Sequence, residues 1–280
     1  MMIRVLGSGQ DAGIPHTGCY CENCTRARQY PESRRLGPSI ALMDREKGFC
    51  YLIDASPDFK YQLDMIRVDI STIQREGKIP LSGILLTHAH FGHCAGLWHL
   101  GREALGEFEL PVFCTEEMAG FLRNNHPFRL LVERENIKLG EYEPDRKLEF
   151  GDFTCTPFVV PHRNEVSDCV GYIIRAKKSE KGMLYLPDID YWTEDVLERI
   201  GTLDIALVDG TFYSQDEIPR YEEVPHPPMM ETVKLLEGGA TKIYFTHVNH
   251  TNPVNHDGKE RKYIEEHGFK IAFDSMNVEI

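Results

Sequence analysis

The sequence predicts an α/β protein built in layers. Apolar runs of strand length, bounded by Gly, Pro or charged residues, recur along the chain in two batches. Segments with helical periodicity lie between several of these runs, and such interleaving is typical of layered α/β domains. The 280 residues contain no internal repeat and no low-complexity linker. We therefore expect one domain, residues 1–280, with the two batches as its halves.

The first half begins with the apolar run IRVL, which is followed by Gly and Ser. Its predicted strands are Ile3–Leu6, Ser39–Asp44, Phe49–Asp54, Gly83–Thr87 and Val112–Cys114. Apolar residues at helical spacing predict helices at Phe59–Gln74, Ala95–Leu105 and Glu116–Asn125. The segment Phe121–Glu143 is rich in charged and aromatic residues, and we expect it to form a lid or a dimer surface.

The second half repeats this alternation. Its predicted strands are Lys147–Phe150, Phe153–Val160, Cys169–Arg175, Met183–Leu186, Ile205–Asp209, Ile243–Thr246 and Lys270–Phe273. Its predicted helices are Thr193–Ile200, Met229–Leu236 and Lys259–His267. Thr193, followed by Glu194 and Asp195, is typical of a capped helix start. The Pro-rich residues 224–228 are too few for a domain linker and indicate a loop before a helix.

Composition narrows the class of protein. Apolar residues make up 41% and aromatic residues 10%, so the chain can bury a core and is not disordered. A net charge of -13 argues against binding to nucleic acid or to an anionic membrane surface. No apolar run approaches the ~18 residues of a membrane span, and the N-terminus lacks the apolar core of a signal peptide. We therefore expect a cytoplasmic protein, in which eight cysteines are unlikely to form four disulfides.

A histidine cluster follows one predicted strand. In GILLTHAHFGHCAGL, the strand leads into His88, His90 and His93. His88 and His90 are two residues apart and point to the same side of an extended chain, whereas His93 falls at the start of the next helix. Three imidazoles within six residues at a strand–helix junction predict a metal site.

Other polar residues stand in the same position, directly after apolar strands. They are Asp54, His162, Asp188, Asp190, Asp209, His247 and His250. Side chains at the ends of several strands converge on one edge of a sheet sandwich. Together they form a set of histidines and aspartates suited to Zn²⁺, Mn²⁺ or Fe²⁺.

A second metal site is predicted near the N-terminus. Cys19, Cys21 and Cys24 form C-x-C-x2-C within a loop that contains Gly and Pro, which suits tetrahedral structural zinc. The fourth ligand is not local unless His16 serves. The remaining cysteines lie in or beside apolar runs and are read as small buried hydrophobes: Cys50, Cys94, Cys114, Cys155 and Cys169.

These motifs carry a resemblance. T-H-A-H-F-G-H resembles the H-x-H-x-D-H signature of the metallo-β-lactamase superfamily, a four-layered αββα sandwich with one or two metals. The stretches GSGQDAGIPHTGCYCENC, VPHRNEVSDCVGY, LYLPDIDYW, LVDGTFY and THVNHTNPV resemble more closely the branch of pyrroloquinoline quinone biosynthesis protein B (PqqB). The N-terminal stretch and the histidine-rich C-terminal motif also resemble the PhnP phosphodiesterase. True members of the PqqB branch often lack the first two histidines, which this chain keeps.

The resemblance implies a division of the ligands between two metals. The first metal would take His88, His90 and His162, and Asp188 would bridge to the second, which would take His93 and His247. His250 would complete the cysteine site. Asp54, Asp190 and Asp209 would hold imidazole rings or fill gaps around the metals. Catalytic roles fall to His226, as a proton donor or substrate contact, and to Asp209.

The sequence departs from the signature at one position. Gly92 stands where the superfamily has an aspartate that binds the second metal. Three outcomes are open: one metal at the three-histidine site, two metals with water or Asp190 in the gap, or a single ion held by His93, His247 and Asp188. The last set, two histidines and a carboxylate, suits non-haem Fe(II). We expect weaker occupancy of the second site.

Three functions compete. The first is a metal-dependent hydrolase of a phosphodiester or another ester-like bond, which uses a metal-activated water. The second is a PqqB-like iron oxygenase or hydroxylase, and the third is a metal-binding accessory protein without hydrolysis. The expected partners are a small-molecule or peptide substrate, contacted by Arg163 and Tyr213, and a second copy of the chain in a homodimer. The expected cofactors are one structural zinc and one or two active-site divalent metals (Zn, Mn or Fe).

Overall fold

Two β-sheets stack face to face in this computed structural model, which describes residues 2–44, 48–67, 81–179, 181–217 and 223–280. The strands of the first sheet are β1 (Met2–Gly7), β2 (Ser39–Asp44), β3 (Phe49–Ile53), β4 (Gly83–Leu85), β5 (Leu110–Cys114), β6 (Ile137–Glu141) and β14 (Asn277–Val278). Their order across the sheet is β14-β1-β2-β3-β4-β5-β6. β3, β4, β5 and β6 run parallel to one another, so their carboxyl ends meet at one edge.

The second sheet is built in the same way. Its strands are β7 (Leu148–Phe150), β8 (Phe153–Val160), β9 (Cys169–Ala176), β10 (Gly182–Leu186), β11 (Ile205–Asp209), β12 (Lys242–Thr246) and β13 (Lys270–Ile271), and their order is the reverse of their numbering. β7 to β10 pair antiparallel, whereas β10 to β13 are parallel.

Helices cover the outer face of each sheet. In chain order they are α1 (Glu22–Gln29), α2 (Phe59–Arg67), α3 (Phe91–Cys94), α4 (Glu116–Asn124), α5 (Phe128–Glu133), α6 (Glu194–Gly201), α7 (Met229–Leu236) and α8 (Lys259–Glu266). Capping explains two of the starts: Thr115 accepts a hydrogen bond from the Met118 amide (3.2 Å), and Thr193 accepts one from the Val196 amide (3.3 Å).

Successive side chains of each strand point to opposite faces of its sheet, and this alternation separates three apolar cores. In β2, Ile40 and Leu42 face the second sheet, whereas Ala41 and Met43 face the helices. The central core lies between the sheets. One outer core lies under α2 to α5, and the other lies under α6 to α8. The layers are therefore α, β, β, α, which confirms the predicted sandwich.

Several predicted elements differ from the structure. The predicted helix Ala95–Leu105 is a 3₁₀ helix, Ala95–Leu100, after the short α3. The predicted helix Phe59–Gln74 is observed as α2 as far as Arg67, and residues 68–74 lie outside the described residues. α1, α5, β6 and β14 were not predicted. They carry too few consecutive apolar residues to stand out, and sheet pairing or side-chain contacts hold them.

The segment Phe121–Glu143 belongs to the sandwich. Phe128 and Leu131 of α5 and Ile137 of β6 are buried in the outer core, and β6 pairs along its length with β5. The expectation of a lid is therefore wrong for this segment, because its apolar side chains are used in the fold. The edge position of β6 leaves the dimer surface as a prediction.

Candidate metal centre

The candidate site lies where strands from both sheets end. From the first sheet, Asp54 follows β3 directly and His88 stands three residues after β4. His90 immediately precedes α3, and His93 lies within that short helix. From the second sheet, His162 and Asp188 stand two residues after β8 and β10. Asp209 ends β11 and His247 directly follows β12. Since parallel strands present their carboxyl ends at one edge, the sequence delivers these groups to one place.

His88, His90 and His162 form the first ligand group. His88 Nε2 lies 2.9 Å from His90 Nδ1, and His162 Nε2 lies 3.2 Å from the same atom. Two nitrogens that bind one zinc at about 2.0–2.1 Å in a tetrahedron are about 3.3 Å apart. Asp188 Oδ1 lies 3.7 Å from His162 Nε2 and closes the group. The spacing therefore fits a metal ion.

His93, His247 and Asp188 form the second group. Asp188 Oδ2 lies 3.0 Å from His93 Nε2 and 3.4 Å from His247 Nε2. All three atoms are buried, and none makes a hydrogen bond with any group in the described ranges. Buried polar atoms without partners are costly in a protein interior. A cation between them would remove that cost, so this group fits a metal as well, with Asp188 placed to bridge the two groups.

The other ring nitrogens are fixed by two buried carboxylates. His93 Nδ1 donates to Asp54 Oδ2 (2.8 Å), and His88 Nδ1 lies 3.0 Å from the Thr87 hydroxyl, which donates to Asp54 Oδ1 (2.9 Å). Asp54 thus holds one ring directly and a second through a threonine. With Nδ1 protonated, each ring directs the lone pair of Nε2 into the site.

In the second sheet, Asp209 holds one ring directly and another through a threonine, as Asp54 does in the first. His226 Nδ1 donates to Asp209 Oδ2 (2.6 Å), and His247 Nδ1 lies 2.9 Å from the Thr211 hydroxyl, which donates to Asp209 Oδ1 (2.7 Å). Asp209 is fully buried behind His226. It therefore positions His226 and His247, and its predicted catalytic role is corrected to one exerted through these rings. Thr87 and Thr211 were missed, although each stands beside a ligand or carboxylate in the sequence.

His162 and His90 are each contacted by a further carboxylate. His162 Nδ1 donates to Asp190 Oδ1 (2.9 Å), whose other oxygen accepts from the Arg163 amide (3.0 Å). Asp190 is therefore engaged with His162 and does not fill the gap left by Gly92. His90 Nε2 lies 3.4 Å from the exposed Glu165, a residue that the sequence reasoning missed.

Electrostatics prepare the groups for a cation. Burial lowers the pKa of His88 well below its ordinary value and the pKa of His247 to about 4, so both rings are neutral at pH 7. Burial raises the pKa of Asp188, but the facing rings of His247, His93 and His162 outweigh it and hold that pKa well below its usual range. Neutral imidazoles and an ionised carboxylate are the forms that bind metals. His93 differs, because burial lowers its pKa but the facing carboxylates of Asp188 and Asp54 outweigh burial and raise that pKa well above its ordinary value, so a metal would displace a proton from this ring.

One carboxylate at the second group comes from an unexpected place. Oxygen or nitrogen ligand atoms of Asp11, His93 and His247 all lie within 4.8 Å of one another. The expectation of weak second-site occupancy rested on Gly92, which brings no ligand, and it named only water or Asp190 as a replacement. Asp11 places a carboxylate at this group instead, and the occupancy of the second site stays a prediction. Asp11 follows β1 within a glycine-rich turn, which is the same strand-end signal that identified Asp54.

The cysteine site is brought together as the sequence indicated. His250 Nδ1 lies 3.5 Å from both Cys19 Sγ and Cys21 Sγ, and Cys24 joins the same cluster. A sulfur at about 2.3 Å and a nitrogen at about 2.0–2.1 Å from one tetrahedral zinc are about 3.6 Å apart, so the spacing fits zinc. His16 instead stacks near His250, with ring centroids 4.6 Å apart. The geometry therefore favours His250 over His16 as fourth ligand.

The remaining predicted residues are accounted for. The five other cysteines are buried and free: Cys50, Cys94, Cys114, Cys155 and Cys169. Arg163 stands beside the rim, and its buried Nε makes no hydrogen bond with any described group. Tyr213 is partly buried and packs against the outer core of the second sheet, and its contact with substrate stays a prediction.

Comparison with known proteins shows the family of this chain. A family model described as a beta-lactamase superfamily domain matches residues 50–248. The chain belongs to the beta-lactamase superfamily. Residues 50–248 of this superfamily domain include Asp54 and the ligands from His88 to His247, whereas Asp11 and the three cysteines precede them.

Full-length relatives are also found. The chain is 29% identical to coenzyme PQQ synthesis protein B of Stutzerimonas stutzeri and covers 100% of both chains. It is similar to Zn²⁺-bound PqqB from Methylobacterium extorquens (25% identity, TM-score 0.85, 100% of both chains). It is also similar to a diphosphatase from the PhnP family (25% identity, TM-score 0.74, 100% of this chain and 96% of the other). Within the described ranges, no helix is long and apolar enough to cross a membrane.

Proposed function

We propose that the protein is a metal-dependent hydrolase of a phosphodiester or another ester-like bond. The observation that carries the proposal is the complete first group, in which His88, His90 and His162 converge at 2.9 and 3.2 Å beside Asp188. When bound, a divalent metal supplies a Lewis acid and lowers the pKa of its water to near neutrality. The similarity to a diphosphatase from the PhnP family supports the same chemistry.

The chain's own residues divide the remaining work. Asp54 and Asp209 fix four imidazoles in one tautomer, so the ligands are oriented before substrate arrives. His226 is aimed at the same cluster, with Asp188 and His247 within reach of it. We assign it proton donation to the leaving oxygen, because Asp209 holds its opposite nitrogen. Arg163 is suited to bind a substrate phosphate.

The test uses bis-p-nitrophenyl phosphate with protein purified without added metal and then loaded with Zn²⁺ or Mn²⁺. The proposal expects turnover that His88→Ala abolishes and that His126→Ala, at an exposed histidine away from the cluster, leaves unchanged. Arg163→Ala should raise KM with little effect on kcat, since it removes a binding contact. Absence of turnover with either metal, in protein whose histidine sites are loaded, would contradict the hydrolase proposal.

A second candidate is an iron-dependent oxygenase. It rests on His93, His247 and a carboxylate, two histidines with one acid, the set that suits non-haem Fe(II). Iron as the metal retained on purification, with a ferrous O₂-sensitive spectrum and no ester hydrolysis, would favour it. Zinc at the cysteines with empty histidine groups would instead indicate an accessory protein.

The relatives named for coenzyme PQQ synthesis suggest a setting for either activity. We propose the cytoplasm as the compartment, since eight free cysteines suit a reducing environment. Expression of this chain in a bacterium that lacks its own PqqB tests the setting. Restored formation of the coenzyme would support it, and its absence with folded, metal-loaded protein would contradict it.

A further inference from the structure

The loop after β1 carries a carboxylate into the second ligand group. The Gln10 amide donates to the Val248 carbonyl (3.1 Å), and the Val248 amide donates to the Ser8 carbonyl (2.9 Å). These bonds tie the loop to the residue next to His247. Asp11 is thereby held beside β12, although 236 positions of sequence, from 11 to 247, separate it from that histidine.

Gly92 and Asp11 occupy one space between them. A Cβ atom at Gly92 would lie 2.0 Å from Asp11 Oδ1 and 2.6 Å from Asp11 Cα, far inside van der Waals contact. A side chain at position 92 and the carboxylate of Asp11 therefore exclude each other. Gly37 gives the loop room on its other side, since a Cβ there would meet the Asp11 carbonyl oxygen at 2.5 Å.

The histidine nitrogens that face Asp11 have Asp188 Oδ2 beside them, at 3.0 and 3.4 Å, but no hydrogen bond among the described residues. His93 Nε2 and His247 Nε2 are buried and make no hydrogen bond with the described part of the chain. Asp11 has φ 33°, a left-handed conformation that residues other than Gly adopt rarely. Such a conformation persists where the surroundings determine it, which is common at binding sites.

We infer that Asp11 is a ligand of the second metal and takes the place of the carboxylate missing at position 92. The second metal is then held by Asp11, His93, His247 and the shared Asp188. This set has two carboxylates and two imidazoles, so it suits Zn²⁺, Mn²⁺ or Fe²⁺. The inference rests on the metal site of the proposed function, but it concerns which residue binds and does not depend on the reaction.

With Asp11 as a ligand, the second site is complete. The loop after β1 supplies the carboxylate, and Gly92 leaves the space that this carboxylate occupies. A carboxylate from the neighbouring loop brings the same donor type as an aspartate on α3. The carboxylate therefore arrives from a segment outside the matched superfamily region, residues 50–248. Asp11 and Gly92 should behave as a coupled pair, because a side chain at position 92 would meet both the carboxylate and the Cα of Asp11.

The experiment measures metal bound per chain by elemental analysis, after equilibration with buffered free Zn²⁺ and again with Mn²⁺. Asp11→Gly removes the carboxylate at a positive φ that glycine accepts without strain. The affinity of the second site for metal should fall more than 10–100-fold, which is roughly the loss seen when a residue that only hydrogen-bonds to a metal ligand is removed. The first group and the cysteine site should keep their metals. Asp58→Asn, at a carboxylate that accepts from the Gly37 amide (2.9 Å), is the matched control and should keep all metals.

The double variant Asp11→Gly with Gly92→Asp completes the test. It removes the 2.0 Å contact with the carboxylate and returns a carboxylate from α3. The Cα of residue 11 would still lie 2.6 Å from the new Cβ, so bound metal should recover relative to Asp11→Gly only as far as the loop after β1 shifts away. Gly92→Asp alone should lose both melting temperature and second-site metal. Unchanged metal affinity in Asp11→Gly would overturn the inference. Loss of metal from the first group or the cysteine site in Asp11→Gly, with the second group unaffected, would do the same. Neither result depends on turnover, so failure of the hydrolase proposal is a separate outcome.

Discussion

Replacement of Asp54 by Asn should weaken the second metal site without unfolding the protein. Asp54 is fully buried, and it accepts from His93 Nδ1 (2.8 Å), the Thr87 amide (2.8 Å) and the Thr87 hydroxyl (2.9 Å). Asparagine has nearly the same shape, and its amide oxygen can keep both bonds to Thr87. Its amino group then replaces Oδ2 and faces His93 as a donor.

The tautomer of His93 carries the effect. Facing a donor, Nδ1 must become the acceptor, so the ring carries its proton on Nε2, the atom 3.0 Å from Asp188 Oδ2 and directed at the metal position. Metal binding must then displace that proton or break the new hydrogen bond. Loss of a group that orients a metal ligand costs about 10–100-fold in affinity, or about 1.4–2.7 kcal/mol. The apoprotein should change less, because a hydrogen bond to His93 is retained.

The assay is competition with a chelating indicator, with sites resolved by anomalous occupancies in crystals grown at limiting metal. Asp190→Asn is the matched control, because Asp190 holds His162 (2.9 Å) and should weaken the first site instead. The reasoning is refuted if Asp54→Asn leaves second-site affinity within twofold of the original. Equal weakening of both sites by both variants would also refute it.

Three further predictions follow from the same geometry. The Cys19→Ser and His250→Ala variants should each lose one zinc, measured by elemental analysis, and melt at a lower temperature, measured by calorimetry. The His16→Ala variant should keep that zinc, and its loss there would show an error in the ligand set. The His226→Gln variant should keep the hydrogen bond to Asp209 and its metals. Its rate of hydrolysis should fall by about 10²–10⁴-fold for phosphodiesters with poor leaving groups, with little change for p-nitrophenyl esters. Equal slowing of both substrates would argue against proton donation. Removal of metal by a chelator should cost about 2.7 kcal/mol of folding free energy for each site emptied, relative to protein held at a free metal concentration of 100 times that site's Kd. An unchanged unfolding curve would contradict metal binding to the native state.

The sequence predicted most of the fold because its strands are strongly patterned. β2 reads SIALMD with every residue buried, and β10 reads GMLYL in the same way. Such runs stand out against any flanking loop. β6 (IKLGE) and β14 (Asn277–Val278) were missed, because pairing with β5 and β1 holds them rather than their own apolar content.

The metal residues were predictable for a related reason. Each stands at a strand end, and His88, His90 and His93 are close enough in sequence to be read as one cluster. Asp11 stands four residues after β1, and the nearest histidine in sequence, His16, lies beside His250 at the cysteine site. Its relation to Gly92 exists only in space, where a Cβ would meet its carboxylate at 2.0 Å. Contacts of this kind leave no local pattern in a single sequence.

The most direct measurement is anomalous scattering across the zinc, manganese and iron edges on crystals of metal-replete protein. The account predicts three peaks: one among the cysteines and His250, one among His88, His90 and His162, and one at the second group with an Asp11 oxygen within about 2.0–2.2 Å. A peak at the cysteines alone would contradict a metal centre at the strand ends. A second-group peak with Asp11 turned away would contradict its role as a ligand.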